Sequence, residues 1–400
     1  MKIALLREGK IPADKRVALS PKQCLEVLNQ YPGLVLVVQP SPIRKFTDQD
    51  YLDLGIVLQE DLSDCDVLIG VKEVPKKDLI PHKTYFYFSH TIKEQPYNKS
   101  LLLKMLSLNI RMIDYEVLTN EKSKRLIGFG RYAGIVGCYN GFLAYGKRTS
   151  SFSLKPAHLC EDRKELEIEL RKIQLEPIKI ILTGSGRVGN GILELINIIG
   201  IRQVSPNEFL NKSFDEPVFV HLNTLDYNKR IDGSASSKSD FYTNPGSYQS
   251  DFLKFAKTAE MFIAGHYYAA GSPFLFTRED AKSKEFKIRT VADVSCDING
   301  PIACTIQPST IQNPIYGYNP LTELIDDYAK PDVIAVMAVD NLPCELPKDS
   351  SIDFGAELIK HILPCLLSTD PHKVIERATI CENGKLTEQF SYLESYAKDS

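Results

Sequence analysis

Four short segments carry side chains suited to proton transfer: Arg16 in Asp14-Lys15-Arg16, Lys72-Glu73 after an apolar run at 67–71, Ser89-His90 after 86–88, and Asp114-Tyr115-Glu116 after 110–113. A lysine set beside other cations loses its proton more readily, and histidine titrates near neutrality. Lys72 and His90 therefore suit a general base and acid. Arg16 offers a planar fork for a carboxylate. Taken singly, each reads as surface charge or a satisfied loop. Taken together, at the ends of successive strands, they point to one pocket, because the carboxyl ends of parallel strands open on a common crevice.

A second constellation is Gly184-x-Gly186-x-x-Gly189, with Ser185, Arg187 and Val188 in the variable places, between a strand-like 177–182 and a helical 192–199. The first glycine allows a tight turn, the second lets a diphosphate approach the backbone, and the third packs helix on strand, with the phosphates at the helix N-terminus. About 20 residues on, where an acid would read the adenosine ribose of NAD, the chain has Arg202-Gln-Val-Ser205-Pro206 and no acid before Glu208. Ser205 can donate to a 2′-phosphate, and Arg202 or Arg187 can supply charge, so the expected cofactor is NADP, with NAD as the alternative. Asp293 and Asp297 stand at another strand end and either meet the nicotinamide side or cap a loop. Cys296 reads as packing, with nothing beside it to activate the thiol.

These residues need a scaffold of alternating strands and helices. Strand patterns at 2–6, 35–39, 67–72, 85–89 and 111–115 are spaced by helical ones at 21–30, 47–54 and 98–108, which implies βαβ units and a parallel sheet. A glycine-rich helical stretch from Gly128 to Gly146 marks a domain seam. A second α/β unit follows, with strands at 177–182, 218–222, 261–264, 290–294 and 333–339, a loop at 232–250, and a closing helix at 354–367.

Composition narrows the functions open to such a chain. Its 400 residues, 43% hydrophobic and 25% charged, make a globular protein with at least two cores. Lys+Arg 48 against Asp+Glu 51 gives −3, no basic field for nucleic acid or an anionic membrane, so a small molecule is the expected partner. Nine cysteines without a CxxC pair read as reduced thiols and give no metal site. No apolar run has the length of a signal sequence or membrane span, and the expected location is cytoplasmic.

The ordered blocks Leu6-Arg-Glu8, Lys15-Arg-Val-Ala-Leu-Ser-Pro21, Ile69-Gly-Val-Lys-Glu73, Phe88-Ser-His-Thr-Ile-Lys93, Ile113-Asp-Tyr-Glu116, Gly128-Phe-Gly-Arg-Tyr-Ala-Gly134, Val291-Ala-Asp-Val-Ser-Cys-Asp297 and Ala338-Val-Asp-Asn-Leu-Pro343 resemble the alanine dehydrogenase and lysine-forming saccharopine dehydrogenase superfamily. The likeness is nearest to the lysine–2-oxoglutarate reductase half of aminoadipic semialdehyde synthases and weakest over 145–180 and 225–250. It implies an α/β fold of two Rossmann-like, doubly wound parallel-sheet domains with a cleft between them. The substrate domain would be discontinuous, 1–140 plus 325–400, and the dinucleotide domain would be 141–324.

The same likeness implies a CH–NH oxidoreductase that interconverts saccharopine with L-lysine and 2-oxoglutarate, leaving room for a homo-oligomer. Lys72 and His90 would be the acid–base pair. Arg16, Lys93 and Glu116 would hold substrate carboxylates and amine, and Asp297 would sit near the nicotinamide. Glu73 resembles the NAD-type enzymes, whereas Ser205 replaces the acid those enzymes carry, so the two clues pull apart. The rivals are an alanine dehydrogenase, working on ammonia and pyruvate, and a nucleotide-binding relative without catalysis.

Overall fold

A computed structural model describes residues 1–398; residues 399 and 400, the end of the expected C-terminal segment, lie outside the described residues. The chain divides into two compact units, Met1–Phe129 with Pro347 onward, and Gly130–Leu346. Seams at 140/141 and 324/325 would have cut the helix Gly130–Thr149 and the strand Leu324–Asp326, and both stay whole in the second unit. Glycine explains the helix. A Cβ on Gly134 would lie 2.0 Å from the Val188 carbonyl oxygen, and one on Gly191 would lie 2.1 Å from that of Arg131, so the helices Gly130–Thr149 and Arg187–Ile199 touch backbone to backbone.

In the first unit β1 (Lys2–Leu5), β2 (Val35–Val38), β3 (Val57–Leu58), β4 (Val67–Lys72), β5 (Thr84–Phe88) and β6 (Arg111–Asp114) run parallel in the order β6-β5-β4-β1-β2-β3. Thr379–Glu382 and Lys385–Leu386 add antiparallel beyond β6, for eight strands among the described residues. Strand alternation sends Ile3, Leu5, Ile69 and Phe86 into one core and Ala4, Leu68, Tyr85 and Tyr87 into another, so both faces are covered. Helices begin where capping boxes allow: Ser20 with Gln23 opens Pro21–Gln30, and Thr47 with Asp50 opens Asp48–Leu52.

The second unit holds β7 (Lys179–Thr183), β8 (Arg202–Val204), β9 (Val218–Leu222), β10 (Asn228–Arg230), β11 (Tyr248–Ser250), β12 (Met261–Ala264), β13 (Thr290–Asp293), β14 (Ile315–Asn319), β15 (Leu324–Asp326) and β16 (Ile334–Met337). Its main sheet runs β15-β14-β16-β13-β12-β7-β9-β8, with β14 alone reversed, antiparallel to both β16 and β15. The strand beside β7 is therefore β9, and β8 is outermost.

The expected loop at 232–250 holds the helix Lys238–Thr243 and β11, which pairs with β10. Polar staples order it: Arg230 grips Asp232 and Asp240, and Tyr248 donates to Asp240 at 2.8 Å, leaving no apolar periodicity to read. No helix among the described residues is long and apolar enough to cross a membrane.

Candidate active site

In the first unit, Lys72 stands opposite Phe88 in the β4–β5 register, and Tyr87 stands opposite Asp114 in the β5–β6 register. Three neighbouring strand ends thus deliver Lys72, His90 and Glu116 to one edge of the sheet. His90 turns with φ of 56° and lies against Phe88, ring centroids 6.3 Å apart. Below it the buried Asp114 accepts from the Ser89 hydroxyl at 2.5 Å and the Glu116 N–H at 2.7 Å, which locks the two strand ends together.

Glu116 is the hub of a charged cluster. One oxygen lies 3.3 Å from His90 Nδ1, and the other lies 3.1 Å from Lys93 Nζ and 3.4 Å from an Arg125 guanidinium nitrogen. Burial alone would raise the Glu116 carboxyl, but the His90 hydrogen bond and the Lys93 charge override it and hold the group at about 2. His90 Nδ1 also lies 3.4 Å from Lys93 Nζ, so a proton on that nitrogen would be donated to Glu116, whereas a bare Nδ1 would accept from Lys93.

Two carboxyl groups, those of Glu8 and Asp14, lie close to Lys72. The carboxylate of Glu8 accepts the backbone N–H groups of Val71 at 2.7 Å and Lys72 at 2.8 Å. Burial pushes Glu8 up to about 8, with the Asp14 charge adding to the rise. Arg16 is 3% exposed, and its fork is already filled: Nε and one terminal nitrogen donate to Asp14 at 3.0 and 2.6 Å while the guanidinium lies over Phe129. Burial would raise Asp14, but Arg16 holds it at about 2, and the Lys72 charge helps. The Nε edge of the guanidinium expected to grip a substrate carboxylate is thus engaged by Asp14. Glu73 pairs closely with Lys10, and its Oε2 is buried with no partner among the described residues.

Sequence reasoning passed over Lys10, Asp14 and Arg125 as functional residues, and used Glu8 only as part of a quoted block. Asp14 sits two residues from Arg16, a spacing that already suits a local ion pair. Lys10 and Arg125 sit in charged loops and give no such signal.

In the second unit the glycine turn has the form its spacing implies. Gly184 has φ of 97°, and a Cβ there would lie 2.1 Å from the Gly265 carbonyl oxygen; on Gly189 it would lie 1.9 Å from that of Gly184. At Gly186 a Cβ would meet nothing within 4 Å, so that side is open to a ligand. Ser185 and Gly186 are exposed, and Gly186 opens the helix Arg187–Ile199 without a side-chain cap, leaving first-turn N–H groups for an anion. Val188 packs inward near Gly130 and Gly134.

The turn is braced from both neighbouring strands. His221 Nε2 lies 2.8 Å from the Gly184 carbonyl oxygen, and buried His266, pushed down to about 4 by its burial, meets the Thr183 hydroxyl at 2.8 Å. Beside the turn a cavity of 510 Å³ is lined by Gln203, Val204, Ser205, Pro206, His221, Asn223 and Asp226. An open glycine approach, a bare helix start and an adjoining cavity fit a dinucleotide.

Asp293 is a loop cap: Oδ1 accepts from Ser295 and Cys296, and Oδ2 accepts from Thr305 at 2.8 Å. Asp297 is half-buried, its carboxyl is raised by burial, and its backbone carbonyl accepts from Gly300. Cys296 donates to the Ala338 carbonyl and is raised to about 12 by burial, in keeping with a packing role.

Residues 4–136 match the family described as alanine dehydrogenase/PNT, N-terminal domain. Over 98% of its length the chain is 29% identical to alpha-aminoadipic semialdehyde synthase, mitochondrial, of Bos taurus, and it spans 47% of that protein. It is 25% identical to saccharopine dehydrogenase [NAD(+), L-lysine-forming] of Yarrowia lipolytica, covering 91% of this chain and 92% of the relative. The fold matches that of an L-alanine dehydrogenase structure with a TM-score of 0.64 at 14% identity, over 99% of both chains. The chain is thus homologous to alpha-aminoadipic semialdehyde synthases and saccharopine dehydrogenases and shares the alanine dehydrogenase fold.

Proposed function

We propose that this chain, a homologue of saccharopine dehydrogenases and alpha-aminoadipic semialdehyde synthases, is a nicotinamide-dependent oxidoreductase that interconverts saccharopine with L-lysine and 2-oxoglutarate. The observation that carries the reading is the first-unit cluster: His90 paired with Glu116, beside Lys93 and Arg125, on the sheet edge that also carries Lys72.

The bound nicotinamide, placed by Gly184, Gly186 and Gly189 with Ser185, Arg187 and Val188, would accept or supply the hydride. His90 Nε2 and Lys72 Nζ would move the protons that imine formation and hydrolysis require: the lysine amine must lose one before it attacks the keto carbon, and the carbinolamine must gain one to expel water. Lys93 and Arg125 would counter substrate carboxylates, leaving Glu116 to hold His90. Glu73, with one oxygen unmatched, suits an ammonium group. Arg16 would act indirectly, by fixing Asp14 near Lys72. Asp297 keeps its proposed place near the nicotinamide.

A steady-state assay settles the reading: lysine plus 2-oxoglutarate against ammonia plus pyruvate, each with NADH and with NADPH, followed by loss of reduced-nicotinamide absorbance. Turnover with the first pair is expected. Turnover with the second pair alone would make the chain an alanine dehydrogenase, and none with either would leave a binding protein.

A further inference from the structure

Parallel pairing of β1 with β4 runs from Ile3 opposite Val67 to Leu5 opposite Ile69, and the Leu6 N–H adds one more bond, to the Ile69 carbonyl at 2.9 Å. Beyond that point a side chain takes over from the strand. One oxygen of the buried Glu8 carboxylate accepts the Val71 N–H at 2.7 Å, and the other accepts the Lys72 N–H at 2.8 Å. Successive N–H groups of a regular strand point to opposite neighbours, so two in a row on one carboxylate mark a break in the pleat.

The register carries the same break. Between Ile69, opposite Phe86, and Lys72, opposite Phe88, β4 takes three steps where β5 takes two. The extra residue is a bulge, and a shift of one residue exchanges the faces to which later side chains point. Two buried side chains hold it: Glu8, and Tyr115, whose hydroxyl donates to the Gly70 carbonyl at 2.9 Å. Lys72 is the first residue beyond the bulge, and Phe88 opposite it lies against His90.

We propose that Glu8 is a positioning residue for Lys72: its carboxylate fixes the bulge that sets the direction in which Lys72 leaves the strand. The inference rests on the reading of Lys72 as a proton carrier. Glu8 handles no substrate proton in this role, since both of its oxygens are taken by backbone N–H groups. Asp14, held ionised by Arg16, favours the charged form of Lys72 only while Lys72 stays beside it. Glutamine at position 8 would keep one acceptor but set an amide N–H against a backbone N–H, donor against donor.

The test is a double-mutant cycle on turnover of lysine plus 2-oxoglutarate, joined to a chemical probe of Lys72. Glu8→Gln should lower kcat by about tenfold, the worth of one hydrogen bond to a charged acceptor, with each KM within about threefold of the natural chain. On a Lys72→Met background the same change should cost less than about twofold, because the side chain that Glu8 aims is gone. Acetylation by acetic anhydride, with Lys72 compared by mass spectrometry to the exposed lysines of the same chain, reads its placement without turnover. It should quicken by about threefold or more in Glu8→Gln, as Lys72 leaves Asp14 and gives up its proton more readily. Tyr115→Phe removes the second brace and should move acetylation in the same direction, which keeps the test open if Glu8→Gln fails to fold. An equal loss of kcat on both backgrounds, or acetylation of Lys72 unchanged in every variant that folds, overturns the proposal. If the natural chain does not turn over lysine and 2-oxoglutarate, the proposed reaction falls, while acetylation still decides whether Glu8 places Lys72.

Discussion

Glu116 Oε2 lies 3.3 Å from His90 Nδ1, which leaves Nε2 as the ring nitrogen turned away from that carboxylate contact. A carboxylate partner directs the proton to Nδ1 and stabilises the imidazolium when Nε2 takes one up. Glu116→Gln keeps the shape but offers an amide that can donate as well as accept. It should lower kcat for lysine plus 2-oxoglutarate by about 100-fold, the low end of what a positioned acid–base group contributes. The check is a pH–rate profile: the limb belonging to His90 should move, and Glu116→Asp should restore part of the rate. An unchanged profile would make the contact merely structural.

Lys72→Met removes the proposed proton carrier while leaving the Glu8 hydrogen bonds to the backbone of Val71 and Lys72 intact. Turnover should fall by about 100-fold or more, with nicotinamide affinity in a fluorescence titration unaltered. Retained turnover would remove Lys72 from the mechanism.

Gly134→Ala places a methyl group 2.0 Å from the Val188 carbonyl oxygen, a backbone atom that cannot swing aside. The two helices must separate, at a cost of about 1–3 kcal/mol typical of overpacking. Calorimetry should show a lowered unfolding temperature, while Gly200→Ala, strained by a φ of 84° but with nothing within 4 Å, should act through backbone strain alone.

Glu345 is 1% exposed, and burial pushes its carboxyl from 4.5 up to about 8 against the Asn140 amide, which donates to it at 2.8 Å. A folded-state value raised above the unfolded one gives a contribution fully present below about pH 4.5 and lost as pH rises through about 8. Glu345→Gln should therefore gain stability relative to the natural chain across that interval and hold the gain above it. Urea unfolding at pH 5, 7 and 9 measures this; a difference that does not grow with pH refutes the shift.

Much of the scaffold was legible because its signals are local. Val67–Lys72 and Val218–Leu222 are apolar runs buried on both faces, and Pro21–Gln30 opens with a capping box that the residues spell out. The short strands β3, β8, β10, β11, β14 and β15, and the pair Thr379–Glu382 and Lys385–Leu386, were not anticipated. β14 contains a glycine whose Cβ would lie 2.2 Å from the Asp326 carbonyl oxygen, a closeness that composition does not advertise. The capping box Ser205-x-x-Glu208 could have been read from its spacing, and with it the fate of the Ser205 hydroxyl.

The amino-acid order alone determined that two α/β sheets form, that a glycine turn follows one strand, and that Lys72, His90 and Glu116 lie at strand ends. Each follows from hydrophobic periodicity or from the steric freedom of glycine, properties of residues and their near neighbours. Which strand lies beside which was decided only by the tertiary structure, because pairing depends on how whole sheet faces are buried rather than on spacing along the chain. That pairing set β9, not β8, beside the glycine-turn strand β7. Three-dimensional packing likewise set the Arg16 Nε edge on Asp14 and the Glu8 carboxylate on the backbone N–H of Lys72.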